Sequence, residues 1–227
     1  MNAVHPEPLT IETGNGGSVS ALLTRSTRAK ACFVFAHGAG AGMSHPFMAT
    51  VAAGLAERNV TTLRYQFPYM EKGSKRPDTP TVAHAAVRAA AAAAARCCPG
   101  LPLIAGGKSF GGRMTSQAQA AAPLEAVRGL VFFGFPLHAA GKRSIDRAKH
   151  LADIHIPMLF LQGARDSLAE LDLLEPVVKG LKHPATLHVV KEADHSFHVP
   201  ARSRRNDREV TSEILDTFAA WASAIEG

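Results

Sequence analysis

Short apolar runs alternate with longer helical stretches along most of the chain, and this alternation constrains the fold more than any other feature. The runs Ala31–Ala36, Thr61–Phe67, Leu103–Gly107, Leu130–Phe135, Met158–Gln162 and Thr186–Glu192 have the length of strands. Ala31–Ala36 is apolar without interruption, as a strand covered by helices on both faces must be. Between the runs, Phe47–Arg58, Thr81–Cys97, Gly111–Ala122, Leu168–Leu181 and Arg208–Ala224 have helical spacing, and Ile145–Leu151 predicts a short helix. Near the start, Thr10–Thr13 and Ser18–Thr24 flank Gly14-Asn15-Gly16-Gly17, which predicts a hairpin. A hairpin followed by repeated strand–helix units predicts an α/β fold, a mostly parallel sheet of about eight strands flanked by helices. The segment Ala83–Arg96 is nearly all alanine, so its helix should present a small-residue face for close packing on the sheet. No Pro/Gly/Ser-rich linker divides the 227 residues, which predicts a single domain over 1–227.

Open α/β sheets place their sites beyond the carboxyl ends of the strands. Directly after the run Leu103–Ala105 comes Gly106-Gly107-Lys108-Ser109-Phe110-Gly111-Gly112, and a helix follows. Residues 107–111 fit G-x-S-x-G, the strand–turn–helix elbow that lifts a nucleophilic serine above a sheet. The same stretch contains Gly-Lys-Ser, but a phosphate loop needs a further glycine five positions before Gly107, where Pro102 stands. A serine elbow demands an acid and then a histidine, each after a later strand. Asp166 follows Met158–Gln162, and His195 follows Leu187–Val190. The expected triad is Ser109 as nucleophile, His195 as general base and acid, and Asp166 orienting the imidazole. His188, His198, Asp172 and Asp194 are nearby competitors for the last two places.

An oxyanion hole should combine the N–H after the nucleophile, that of Phe110, with one from the loop after the third strand. That loop reads His37-Gly38-Ala39-Gly40-Ala41-Gly42. Ala39 is the expected second donor, with Gly38 and Gly40 as register alternatives that would also approach a substrate. A dinucleotide loop is excluded because Met43 stands where G-x-G-x-x-G needs its last glycine. His138, just after the sixth strand, is a further candidate to line the pocket.

These motifs resemble the α/β hydrolases, in their compact, dienelactone-hydrolase-like form, over essentially the whole chain. More narrowly, His37-Gly38-Ala39-Gly40, Gly-Lys-Ser-Phe-Gly-Gly at 107–112, Gly134-Phe135-Pro136-Leu137-His138 and Leu161-Gln162-Gly163-Ala164-Arg165-Asp166 are similar to the family that includes testis-expressed protein 30. A subunit of a chromatin acetyltransferase complex belongs to that family too. The resemblance implies a hydrolase fold with Ser109, Asp166 and His195 at the triad positions, and no cofactor. Dienelactone hydrolases use a cysteine nucleophile where this chain has Ser109, which argues against that specific activity.

Net charge is +6, and its placement is uneven. The loops Pro68–Pro80, Pro136–His150 and His198–Arg208 carry +1, +3 and +3, so the rest of the chain is close to neutral. All three should emerge at the site edge, which suggests an anionic substrate or docking partner. The segment Pro136–Pro157 is short for a lid, which predicts a minimal cap and a small, soluble ester.

Other classes fit poorly. Aromatic residues make up 6%, with one Trp and two Tyr, so nucleic-acid stacking platforms are scarce. No apolar stretch is long enough for a transmembrane helix, and Met1–Glu12 has neither the basic start nor the apolar run of a signal peptide. Cys32, Cys97 and Cys98 are odd in number and lack zinc-site spacing, which points to a reducing cytoplasm. No H-E-x-x-H motif occurs, so no metal is expected. The expectation is a serine carboxylesterase or thioesterase working through an acyl-enzyme. The alternative is a non-catalytic binding or scaffold protein on the same fold. Oligomeric state is not written in these motifs.

Overall fold

The computed structural model describes residues 5–14 and 16–225. Its centre is an eight-stranded sheet in the order β1-β2-β4-β3-β5-β6-β7-β8. The strands are β1 (Glu7–Gly14), β2 (Gly17–Thr24), β3 (Ala31–Ala36), β4 (Val60–Tyr65), β5 (Leu103–Lys108), β6 (Val127–Phe133), β7 (Met158–Gly163) and β8 (Ala185–Val190). The hairpin β1–β2 and the β2–β4 pair are antiparallel, and every other pair is parallel. The helices are α1 (Pro46–Glu57), α2 (Pro68–Glu71), α3 (Pro80–Cys97), α4 (Phe110–Ala121), α5 (Leu171–Lys179) and α6 (Asp207–Ala224). A 3₁₀ segment spans Asp146–Asp153.

Strand alternation sorts the core into two layers. Val34, Ala105, Phe132 and Phe160 point to one face, beneath α3 and α4. Phe33, Phe35, Ile104, Val131 and Leu159 point to the other, beneath α1 and α6. The alanine-rich α3 buries Ala83, Ala86, Ala90, Ala91 and Ala94 against the sheet, as its small-residue face requires. On the other face a Cβ at Gly54 would lie 2.4 Å from Leu215 Cδ1, so α1 and α6 pack closely and any side chain there would make Leu215 shift. The three cysteines are free thiols.

Among the boundaries that depart from the sequence reading, three lie next to the site. The fourth strand ends at Tyr65 rather than Phe67, because Phe67 caps the four-residue helix α2, which Pro68 opens. β6 stops at Phe133, where Gly134 (φ +68°) turns the chain. Helix α5 starts at Leu171, not Leu168, because Asp166 Oδ1 accepts the Leu168 N–H (2.8 Å) and holds that stretch in a loop.

Candidate active site at the carboxyl edge of the sheet

β5 ends at Lys108 and α4 begins at Phe110, so Ser109 alone makes the turn between them. Its backbone sits at φ +50°, ψ −113°. For a residue with a side chain this is strained by about 1–3 kcal/mol, which the surroundings must hold. The Ser109 N–H donates to Phe133 O (3.1 Å), and Ser109 O accepts the Arg113 N–H (3.1 Å). Two glycines make the tight approach possible. A Cβ at Gly107 or at Gly111 would stand 2.5 Å from Ala36 O.

Asp166, in the loop after β7, has a fully buried side chain. Its Oδ2 accepts from His195 Nδ1 (2.6 Å) and Gln162 Nε2 (2.5 Å), while Oδ1 takes the Leu168 N–H. Protonation at Nδ1 leaves His195 Nε2 as the free lone pair. His195 and Ser109 line one cavity of about 350 Å³, together with Gly38, Ala39 and Lys108. A second cavity, about 400 Å³, also borders Ser109 and is walled by Phe110, Arg113, His138, Arg147 and Asp78.

The competitors named from sequence are engaged elsewhere. His198 Nδ1 bonds Asp207 Oδ2 (2.8 Å) in the open, and Asp207 holds the imidazole above its ordinary pKa. His188 Nε2 bonds Glu213 Oε1 (2.7 Å), and Asp172 pairs with Arg143. Asp194 accepts the N–H groups of Ser196 (2.7 Å) and His198 (3.0 Å), which shapes the turn that carries His195.

Ala39 lines both cavities, and its N–H meets no acceptor among the described residues. Phe110 is the first residue of α4, so its N–H is among those a helix leaves without an internal partner. Gly38 lines the first cavity. Gly40 lines neither, contrary to the expected substrate contact, because its N–H is tied to Tyr69 Oη (3.0 Å). His138 lines the second cavity and is buried, with Nε2 against Glu170 Oε2 (2.5 Å) and Nδ1 against Ala139 O (2.9 Å).

Several supporting residues were not singled out from the sequence. Lys108 Nζ donates to His195 O (2.6 Å) and lies 5.6 Å above the Phe197 ring. Burial pushes this ammonium down to about pKa 8, against the upward pull of Asp166 and Asp194. His37 Nε2 accepts the Phe67 N–H (3.1 Å) and Nδ1 donates to Gly38 O (2.8 Å). Burial holds its pKa below the ordinary value, so this neutral imidazole ties the β3 loop to the β4 loop. Of the three basic loops, 68–80 and 136–150 reach the second cavity. The loop 198–208 lines neither cavity, since Arg205 is drawn to Glu213 and His198 to Asp207.

With this geometry in view, residues 29–223 match the family described as alpha/beta hydrolase domain. The chain belongs to that family. This alpha/beta hydrolase superposes on dienelactone hydrolase from Anabaena variabilis with a TM-score of 0.78 at 19% identity, covering 96% of this chain and 97% of that one. A serine hydrolase without lid from Xanthomonas campestris gives 0.73 at 19%, with 97% of each chain covered. An esterase from Pyrococcus furiosus gives 0.77 at 13%, covering 99% of this chain and 92% of that one. At these identities the likeness is one of fold. Among the described residues, the alpha/beta hydrolase has no helix long and apolar enough to cross a membrane. Nor does it have a His/Cys/Asp/Glu cluster placed to hold a metal ion.

Proposed function

We propose that this protein hydrolyses small esters or thioesters through an acyl-enzyme on Ser109. The observation that carries this reading is the 2.6 Å bond from His195 Nδ1 to the buried Asp166 carboxylate, with His195 sharing a cavity with the strained Ser109. Ser109 Oγ attacks the acyl carbon, and His195 Nε2 takes its proton. The charge that develops on the carbonyl oxygen is met by the N–H groups of Phe110 and Ala39, in a site already partly closed to water. Collapse breaks the bond to the leaving group, which receives the proton from His195. Water then repeats the sequence and frees the acid. No metal or organic cofactor takes part in these steps. Asp166 keeps the imidazole in the tautomer that presents Nε2 and stabilises its charged form.

The test is turnover of short p-nitrophenyl esters and acyl thioesters by the native protein, Ser109→Ala and His195→Ala. The reading expects saturable hydrolysis that falls by roughly a thousandfold or more in either variant. Equal turnover in all three proteins would assign the activity to a contaminant and move the scaffold alternative ahead.

A further inference from the structure

We propose that the second cavity is a carboxylate subsite built by Arg113 and Arg147, and that the acyl group it receives ends in a carboxylate. This rests on the hydrolase reading above and adds the class of substrate.

Arg113 and Arg147 both line the cavity that adjoins Ser109. Neither forms an ion pair with any carboxylate among the described residues. Arg113 Nε is buried and has no hydrogen-bond partner. The guanidinium is held over the Phe110 ring, with Cζ 5.8 Å from the centroid. Burial and then the neighbouring Arg147 charge keep Arg113 below its ordinary pKa, in keeping with two cations that line one cavity. That cavity also holds Asp78, whose Oδ2 accepts the Tyr69 N–H (2.9 Å), so one carboxylate stands against two guanidiniums along its wall. His150, close by, is pushed down to about pKa 4 by burial and by the Arg113 charge. Two guanidiniums without a carboxylate partner thus share one wall, and a carboxylate is the planar anion that fits a guanidinium fork.

The two cavities also divide the substrate. His195 lines the first and not the second. The proton that His195 returns goes to the leaving group, so the alcohol or thiol belongs in the first cavity, beside Phe47, Met48 and Leu168. The acyl chain then runs into the second. Arg113 lies one turn along α4 from Ser109, and both line this cavity, so the acyl chain that links them is short. The substrates are therefore hemiesters or half-thioesters of short α,ω-dicarboxylic acids. Ser109 Oγ bonds to the acyl carbon while the bond to the leaving oxygen or sulfur breaks, and the serine proton passes through His195 to the leaving group. Water then adds its hydroxyl to the acyl carbon, and its proton returns through His195 to Ser109. A free dicarboxylate is released.

The experiment compares kcat/KM for 4-methylumbelliferyl hydrogen adipate and its methyl-capped neutral counterpart. The native protein should favour the anion by about tenfold at low salt, less as salt rises. Arg113→Met and Arg147→Met should each pull that ratio towards one, while Lys142→Gln, an exposed charge on the same loop, should leave it intact. Adipate should also bind Ser109→Ala by calorimetry, and binding should weaken when Arg147→Met is added. A native ratio near one, or a ratio unchanged in both arginine variants, overturns the subsite and leaves the hydrolase reading standing. Arginine-dependent adipate binding without turnover of either ester would support the subsite and overturn the hydrolase reading.

Discussion

Lys108→Met keeps most of an aliphatic stem and removes a buried ammonium, which should separate stability from activity. In the native protein burial lowers this group's pKa from 10.5 to about 8. The unfolded chain keeps its proton up to the ordinary lysine value. Between about pH 8 and 10.5 the unfolded state therefore binds more protons, and native stability rises with pH across that window. Below it the buried charge disfavours the native state by a constant amount, on the order of 3 kcal/mol. Methionine removes that penalty and also the bond to His195 O. A charge-assisted hydrogen bond contributes about 1.5–3 kcal/mol, so the two changes largely offset each other. At pH 7 the variant should be as stable as the native protein or up to about 1.5 kcal/mol more stable. It should also lack the native gain in stability towards pH 10. Activity should move the other way. His195 loses the anchor on its own carbonyl, and a small displacement of a base lowers kcat by roughly ten- to a hundredfold with KM nearly unchanged. Urea denaturation at pH 7 and pH 9.5, with ester turnover on the same samples, reads all three. A variant that loses more than about 2 kcal/mol at pH 7, or that keeps native kcat, would refute the reasoning.

Asp166→Asn should still fold but lose about 1–3 kcal/mol, because its amide nitrogen must face a donor, Gln162 Nε2 or the Leu168 N–H, that the carboxylate accepts. It should also lose kcat by a factor on the order of 10⁴, since an amide NH₂ facing Nδ1 favours the wrong imidazole tautomer. Steady-state kinetics beside circular dichroism check both halves. Gly163→Ala places a Cβ 2.4 Å from Asp194 O and 2.5 Å from Ala193 O, so the loop carrying His195 must shift away from β7. A fall in Tm of several degrees together with a larger proportional loss of kcat is expected, read by calorimetry and ester hydrolysis.

What could be read from the sequence was whatever depends on short-range pattern. Ala31–Ala36 announced a doubly covered strand because nothing in it is polar, and the structure buries all six residues. The turn at Ser109 was visible because G-x-S-x-G is local, and the loops that carry Asp166 and His195 because each comes after a strand. The parts that escaped depend on contacts distant in sequence. Lys108 and Arg113 look like ordinary surface cations until β5 and α4 place one behind His195 and the other over Phe110. Gly40 has the composition of a pocket residue, but Tyr69 arrives from the next loop and takes its N–H. Leu168 fits a helical pattern, yet Asp166 captures its N–H and delays α5 to Leu171. The basic loop 198–208 looked like part of the site rim because its own acidic partner, Glu213, lies on a helix beyond it.

The central claim is that Ser109 is activated by the histidine and aspartate beside it. A fluorophosphonate probe reacts with an activated serine and not with an ordinary surface hydroxyl, so intact-mass analysis and peptide mapping test the claim without a known substrate. One adduct is expected on Ser109, absent from Ser109→Ala and strongly slowed in His195→Ala. Folded native protein that remains unlabelled, or that is labelled at another residue, would contradict it.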